Sequence, residues 1–409
     1  MRRTLLALAT VGLLLVGTAC IPEGPPAVAP TVPPRQTDPP APRTVKVYSS
    51  LALTGPARAQ AQAIVNGIKL AFDESGGSGG TAARLGHLTV EYESLDDTTA
   101  ARPAWDIAQE TANAQRAAED PRTMAYLGTL NAGATRIALP VLNRAGIPMV
   151  SPANTAGDLS TDPAFSAGGR KTFFRVIPHE NAQGAVAARW AKDLGVTKVA
   201  VIDDGERYGK GLADAFEQAA RTAGLTVVAR EAAPKADSYT ALVAKVRAAG
   251  ADGLYYGGIV DNNAAVLLRN LRAVDPRMIF LGGEGVQDDE MIKGAGAAAE
   301  GMYATFIGLP PDRYLGAQAE WARRYRAKYG IEPQVYAIYG YEAAMVTLAA
   351  IREAGGDRAK MTDALRRVGT SFEGALGRWS FDQNGDTSHS THTGVVVQQG
   401  KWIFSRVLS

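Results

Sequence analysis

The chain has 409 residues, 43 Lys and Arg against 41 Asp and Glu, four His and a single Cys, and 46% of its residues are hydrophobic. Nearly balanced charge removes the electrostatic basis for binding nucleic acid or an anionic membrane surface, and a lone cysteine excludes an intramolecular disulfide. The length exceeds what one core usually organises, which predicts two domains.

At the N-terminus, Arg2 and Arg3 precede an apolar run over residues 5–16 and the small residues Gly17, Thr18 and Ala19. A basic start, an apolar segment too short to span a bilayer comfortably and a small-residue zone read as a secretory signal over residues 1–19. Cys20 follows directly and resembles the lipidated cysteine of a bacterial lipobox, with Gly17 where that motif usually carries Leu. Residues 20–43 contain nine prolines and almost no large apolar side chain, so they are expected to form an extended tether. Cleavage after residue 19 removes Arg2 and Arg3 and no acid, leaving 41 basic against 41 acidic side chains. The sequence therefore predicts an extracytoplasmic body held to the cell membrane through a lipid on Cys20.

From Thr44 onward, short apolar runs alternate with longer Ala-rich stretches of helical spacing. Strands are predicted near 45–48, 88–92, 124–128 and 148–151, with helices around 64–72, 102–118 and 135–144. A second series places strands at 198–203, 225–230, 254–257 and 278–281 and helices at 209–223, 239–248 and 262–273. A strand at 302–306, helices at 317–328 and 337–353, and strands near Trp379 and at 395–397 are too few for a third domain and are expected to complete the first two. Repeated βα punctuation predicts an α/β fold, two Rossmann-like lobes with parallel central sheets joined by a multi-strand hinge. The expected boundaries are 44–174 plus 308–378 for the first lobe and 175–307 plus 379–409 for the second, with crossings near Arg175, Ile307 and Trp379.

Ligands of open parallel sheets sit beyond the carboxyl ends of the strands. Two facing sheets would bring residues 129–134, 151–155, 203–208, 256–259 and 283–285 to one cleft. In those loops and elsewhere stand Leu53-Thr54-Gly55-Pro56, Gly128-Thr129-Leu130, the run from Gly146 to Thr155, Tyr208-Gly209-Lys210-Gly211, Tyr255-Tyr256-Gly257-Gly258, Gly282-Gly283-Glu284-Gly285 and the run from Phe381 to Asp386. In joint order and spacing they resemble the periplasmic leucine/isoleucine/valine-binding proteins, the type I solute receptors of ABC transporters.

That resemblance implies a non-enzymatic substrate-binding protein that closes on a small molecule, an amino acid of branched-chain type or a relative, and passes it to an ABC transporter permease without a cofactor. It further implies ligand contacts at Ala153 and Thr155, an aromatic contact at Tyr208, an acid facing the ligand ammonium at Glu284, and an aromatic pocket wall at Tyr336. Three positions depart from the family: Ala132 replaces a serine that contacts the carboxylate, Gln60 an aromatic residue, and Ile259 a tyrosine. Asn131 and the backbone beside Ala132 are the compensating donors, and amides, ureas, peptides and aromatic acids remain open as ligands. A sensor of such molecules, and an extracytoplasmic hydrolase, are the other readings. The candidate loops contain no paired nucleophile and histidine, which disfavours the hydrolase.

Other motifs have bland readings. Gly76-Gly77-Ser78-Gly79-Gly80 has the letters of a nucleophile elbow but follows a helix and precedes a strand, the reverse of what the elbow needs. Residues 205–211 are glycine-rich, yet the spacing is wrong for a phosphate loop and no Ser or Thr follows Lys210. His389 and His392 lack metal-site spacing, so no metal is expected. Asp382, Asn384 and Asp386 have a calcium-like rhythm without the closing glutamate, and read as a turn.

Overall fold

The computed structural model describes residues 41–166 and 169–408. The signal segment, Cys20 and the tether up to residue 40 lie outside the described residues. Continuous burial along the central strands, complete over Thr123–Gly128 and Gly253–Gly257, explains the architecture, because two opposite apolar faces demand a cover on both sides. The first sheet is built from β1 Arg43–Leu51, β2 Ala82–Leu85, β3 Leu88–Asp96, β4 Thr123–Gly128, β5 Met149–Ser151 and β6 Phe173–Arg175, in the order β2-β3-β1-β4-β5-β6. All its pairings are parallel except the edge pair β2–β3. Val45, Val47 and Leu127 pack on one face against helices Arg58–Glu74 and Val335–Glu353, whereas Tyr48 and Tyr126 face helices Ile107–Glu119 and Ala132–Arg144.

The second sheet contains β7 Lys198–Asp203, β8 Thr226–Ala232, β9 Gly253–Gly257, β10 Ile279–Gly282 and β11 Tyr303–Ile307. A small hairpin, β12 Phe372–Gly374 and β13 Gly377–Trp379, stands apart, and β14 His392–Gln398 and β15 Lys401–Leu408 return to the second sheet. Its order is β15-β14-β11-β10-β9-β7-β8, parallel apart from the two C-terminal strands. Ala200, Ile202, Leu254, Tyr256 and Phe280 point to one core and Val199, Val201, Tyr255 and Leu281 to the other, the period of two that a doubly covered sheet requires. Helices Glu180–Asp193 and Arg207–Ala223 cover the latter face together.

The two-sheet α/β fold expected from the sequence is what the chain adopts. Some elements differ from expectation. The helix anticipated from residue 102 begins at Ile107, because Asp106 accepts hydrogen bonds from the amides of Ala108 and Gln109 at 2.9 and 3.0 Å and so caps it there. Trp379 is not a crossing strand. It ends the small hairpin, its indole donates to Glu342 at 2.6 Å, and its ring packs with Phe381 in the first core. The chain re-enters the second sheet only at His392, so the third crossing falls between residues 388 and 392.

The other crossings leave β6 at Arg175 and β11 at Ile307, and Arg175 organises the first. It is fully buried, and its Nε meets Asp386 Oδ1 at 2.5 Å. Its Nη1 donates to the carbonyls of Asn154 and Ala156 at 3.2 and 2.8 Å and its Nη2 to Ser160 Oγ at 2.7 Å, while Ser160 donates to Asp386 at 2.9 Å. The turn with the calcium-like rhythm thus supplies the counter-ion of a buried arginine. Asp382 closes that turn by accepting from the amides of Asn384 and Asp386 at 2.7 and 2.9 Å. Gly385 is required there: its φ is +89°, and a Cβ would lie 2.4 Å from the carbonyl oxygen of Phe173.

Removing one member of a buried, hydrogen-bonded ion pair strands the other away from water. Arg175→Met is therefore expected to cost about 3–5 kcal/mol of unfolding free energy in urea titrations. The exposed pair Arg221–Glu217, cut by Arg221→Ala, should cost less than about 1 kcal/mol. Equal effects would contradict the role given to Arg175.

Candidate functional site

The carboxyl ends of both sheets face one cavity, whose empty space together with its opening to solvent amounts to about 480 Å³. Asn131, Ala132, Ala153, Thr155, Tyr208, Ile259, Glu284 and Tyr336, the eight candidate positions read from the sequence, all line it. Gln60 lines it as well.

On the first sheet's side, the loop after β4 enters the helix Ala132–Arg144, whose N-cap residue Asn131 makes no side-chain capping bond. The first amides of that helix open at the cavity, where backbone N–H groups and the helix dipole favour negative charge. Thr129 fixes the entry by donating to the Asn131 carbonyl at 2.7 Å, and Asn154 reaches across to the Thr129 carbonyl. After β5, Ser151 Oγ accepts from the amides of Ala153 and Asn154 at 3.2 and 2.9 Å. The Ala153 amide is thus committed to its own turn, and Ala153 contributes a small apolar wall. The buried Thr155 hydroxyl and the Asn131 side-chain oxygen have no hydrogen-bond partner, so a polar ligand group can satisfy them.

On the second sheet's side, β10 ends in Gly282 and Gly283 before Glu284. A Cβ at Gly283 would lie 2.3 Å from Leu212 Cδ2 and 2.8 Å from the Tyr208 hydroxyl, so only glycine lets this turn approach the helix Arg207–Ala223. The turn places Glu284 where 4% of its surface is exposed. Burial pushes its carboxyl pKa up, opposed chiefly by the amide of Gln183, which donates to Glu284 Oε2. The same amide group also donates to the carbonyl and hydroxyl of Thr305 at 3.2 and 3.0 Å. Tyr208 accepts from the Gly285 amide at 3.2 Å. Burial first, and then the Glu284 charge, raise the phenol pKa values of Tyr208 and Tyr336 well above the usual range, so both stay protonated.

Beyond β9, Asp204 Oδ2 accepts from the Ile259 amide at 3.0 Å and the Asn262 side chain at 2.9 Å, shaping the turn that carries Ile259, Val260 and Asp261 into the cavity wall. Contacts cross between the sheets at the cavity rim. Arg207 donates to Asp158 at 2.7 Å, and Arg136 pairs with the same carboxylate from the first-sheet side.

Sequence reasoning did not single out Gln183 or Asp261. Gln183 sits on the helix Glu180–Asp193, whose many alanines give a faint hydrophobic stripe, although Val186, Ala187, Trp190 and Ala191 do recur at helical spacing. Asp261 lies just past the Tyr-Tyr-Gly-Gly run, beyond the segment that drew notice.

The family model described as periplasmic binding protein matches residues 44–401. The chain belongs to that family. A Leu/Ile/Val-binding protein homolog of Brucella abortus is 29% identical over 345 residues, covering 84% of this chain and 87% of the relative. An amino acid binding protein of Pseudomonas aeruginosa is 31% identical over 289 residues, 69% of this chain and 74% of the relative. The crystal structure of a leucine-binding protein from Thermotoga maritima superposes with a TM-score of 0.76 at 27% identity, covering 89% of this chain and 98% of that one. Membership of this family implies an extracytoplasmic location. No helix among the described residues is long and apolar enough to cross a membrane.

The Gly283 turn yields a direct test. Gly283→Ala is expected to lower the unfolding free energy by about 1–3 kcal/mol through overpacking against Leu212. Gly79→Ala, at a turn where a Cβ meets nothing within 4 Å but φ is +67°, should cost about 1 kcal/mol through backbone strain alone. Thermal and urea unfolding read both, and a smaller loss at Gly283 than at Gly79 would refute the packing argument.

Proposed function

We propose that this protein is the lipid-anchored solute receptor of an ABC importer and that it binds an amino acid or a close relative in the cavity between its sheets. The observation that carries the reading is a buried carboxylate, Glu284, lining the same cavity as Asn131, Ala153 and Thr155 of the opposite sheet. In this reading the ligand carboxylate lies at the start of the helix Ala132–Arg144, close to Asn131, Ala132, Ala153 and the Thr155 hydroxyl. Its ammonium pairs with Glu284, and Tyr208, Ile259 and Tyr336 enclose the rest. A zwitterion matches donors at one end and an anion at the other. The names of the relatives agree with such a ligand.

The two sheets with their helices serve as lobes that move about crossings at Arg175, Ile307 and residues 388–392. A ligand closes them only by binding the closed state more tightly than the open one, so contacts from both sides are needed. Arg207–Asp158 then biases the closed state directly. The permease is the partner that accepts the closed, loaded form, and a lipid on Cys20 keeps the receptor at the membrane.

Two experiments test this. In calorimetric titrations with an amino acid that the wild type binds, Glu284→Gln should weaken affinity by about a hundredfold, the loss expected when one member of a buried charge pair is removed, while thermal unfolding of the ligand-free protein changes little. Unchanged affinity rejects the ammonium site. In cell fractionation, wild-type protein should sediment with membranes and Cys20→Ser protein should appear in the soluble extracytoplasmic fraction. An identical distribution of the two rejects the anchor.

A further inference from the structure

The residues that line the cavity include two carboxylates, Glu284 and Asp261, and no Lys, Arg or His. The α-ammonium of an amino acid answers one of them. Asp261 belongs to the turn Val260–Asn262 beyond β9, and only 7% of its surface is exposed. Its Oδ1 is buried without a hydrogen-bond partner. Burial pushes its pKa up to about 6, with Lys235 lowering and Asp288 raising it, so it is largely ionised at neutral pH. The turn abuts the Glu284 loop: a Cβ at Gly285 would lie 2.6 Å from the Gly258 carbonyl oxygen and 3.1 Å from Ile259 Cγ2. The second acid is therefore part of the same chamber wall as the first.

An aliphatic side chain closed into this chamber would leave Oδ1 of an ionised carboxylate beside methyl groups, with no donor to replace its hydration. That is among the costlier arrangements a binding site can contain. A side-chain nitrogen removes the cost, and a cationic one also balances the second charge. The Asn131 side-chain oxygen on the opposite wall is likewise without a partner, so the chamber as a whole offers more acceptors than a single ammonium group uses.

Resting on the amino-acid reading above, we infer that Asp261 sets specificity by accepting a hydrogen bond from a second nitrogen on the ligand, so that the receptor prefers amino acids with basic or amide side chains over leucine, isoleucine and valine. The carboxylate in the turn beyond β9, with its unpartnered Oδ1, rather than the apolar walls of Tyr336 and Ile259, selects the side chain.

Calorimetric titration of the full-length mature protein with arginine, lysine, glutamine, leucine and valine tests this, using wild type, Asp261→Asn, Asp261→Ala and Glu284→Gln. At least one of arginine, lysine or glutamine should bind wild type about tenfold or more tighter than leucine, the discrimination expected from one hydrogen bond to a charged group. Asp261→Ala should remove that preference while leucine affinity holds or rises. The near-isosteric Asp261→Asn should weaken the cationic ligands more than glutamine, which separates a charge effect from a packing defect. Leucine or valine binding wild type as tightly as the nitrogen-bearing side chains overturns the inference, as does an equal loss for every ligand in Asp261→Ala. If arginine, lysine and glutamine bind no tighter than leucine and their binding is lost in Glu284→Gln but not in Asp261→Ala, the receptor reading stands and the role of Asp261 falls. If none of the five binds, the specificity inference falls.

Discussion

Taking a carboxylate out of water at the end of a β strand is the constraint around which this protein is arranged. Glu284 pays for its burial only in part through the Gln183 amide, because a neutral donor does not cancel a charge. The glycines before it allow the turn to lie against Tyr208, and the opposite sheet closes the space in front of it. A site so built favours a ligand that brings its own positive charge, and the helix start at Ala132 across the cavity favours one that also brings a negative charge. Neither sheet supplies both, so the proposed zwitterion site exists only where the two edges meet.

The frame that holds those edges is polar too. Arg175 is at once the last residue of β6 and the anchor for the carbonyls of Asn154 and Ala156, so the crossing between sheets and the loop bearing Ala153 and Thr155 form one hydrogen-bonded unit. In the proposed receptor, movement of one lobe against the other is thereby kept from disturbing the first-sheet half of the site. The Arg207–Asp158 contact lies elsewhere, where in the proposed receptor it can break on opening without disrupting either core.

Much of this was legible in the sequence, for physical reasons that differ by element. Parallel strands buried on both faces leave continuous apolar runs, and Val199 to Ile202 and Leu254 to Tyr256 are such runs, so the two sheets could be read directly. Site residues at strand ends, Thr155 and Glu284 among them, follow from topology once the strands are placed. The resemblance to a known family added Tyr336, which no strand-end argument reaches, because it comes from the start of a helix. What escaped notice has equally concrete causes. The helix Glu180–Asp193 buries alanines and one tryptophan, and small side chains leave little amphipathic contrast. Trp379 looked like a crossing because hydrophobicity alone does not tell an edge hairpin from a central strand, and only its bond to Glu342 shows the difference. Asp261 could not be distinguished from a solvated turn residue, since it is buried beside groups from other segments, Lys235 and Asp288 among them, that its own stretch of sequence does not reveal.

A crystal structure of the protein with its tightest-binding amino acid tests the central claim most directly. The account predicts the ligand ammonium within hydrogen-bond distance of the Glu284 carboxylate and the ligand carboxylate at the Thr155 hydroxyl and the first amides of the helix Ala132–Arg144. A ligand seated outside the cavity, or touching residues of one sheet only, would contradict it.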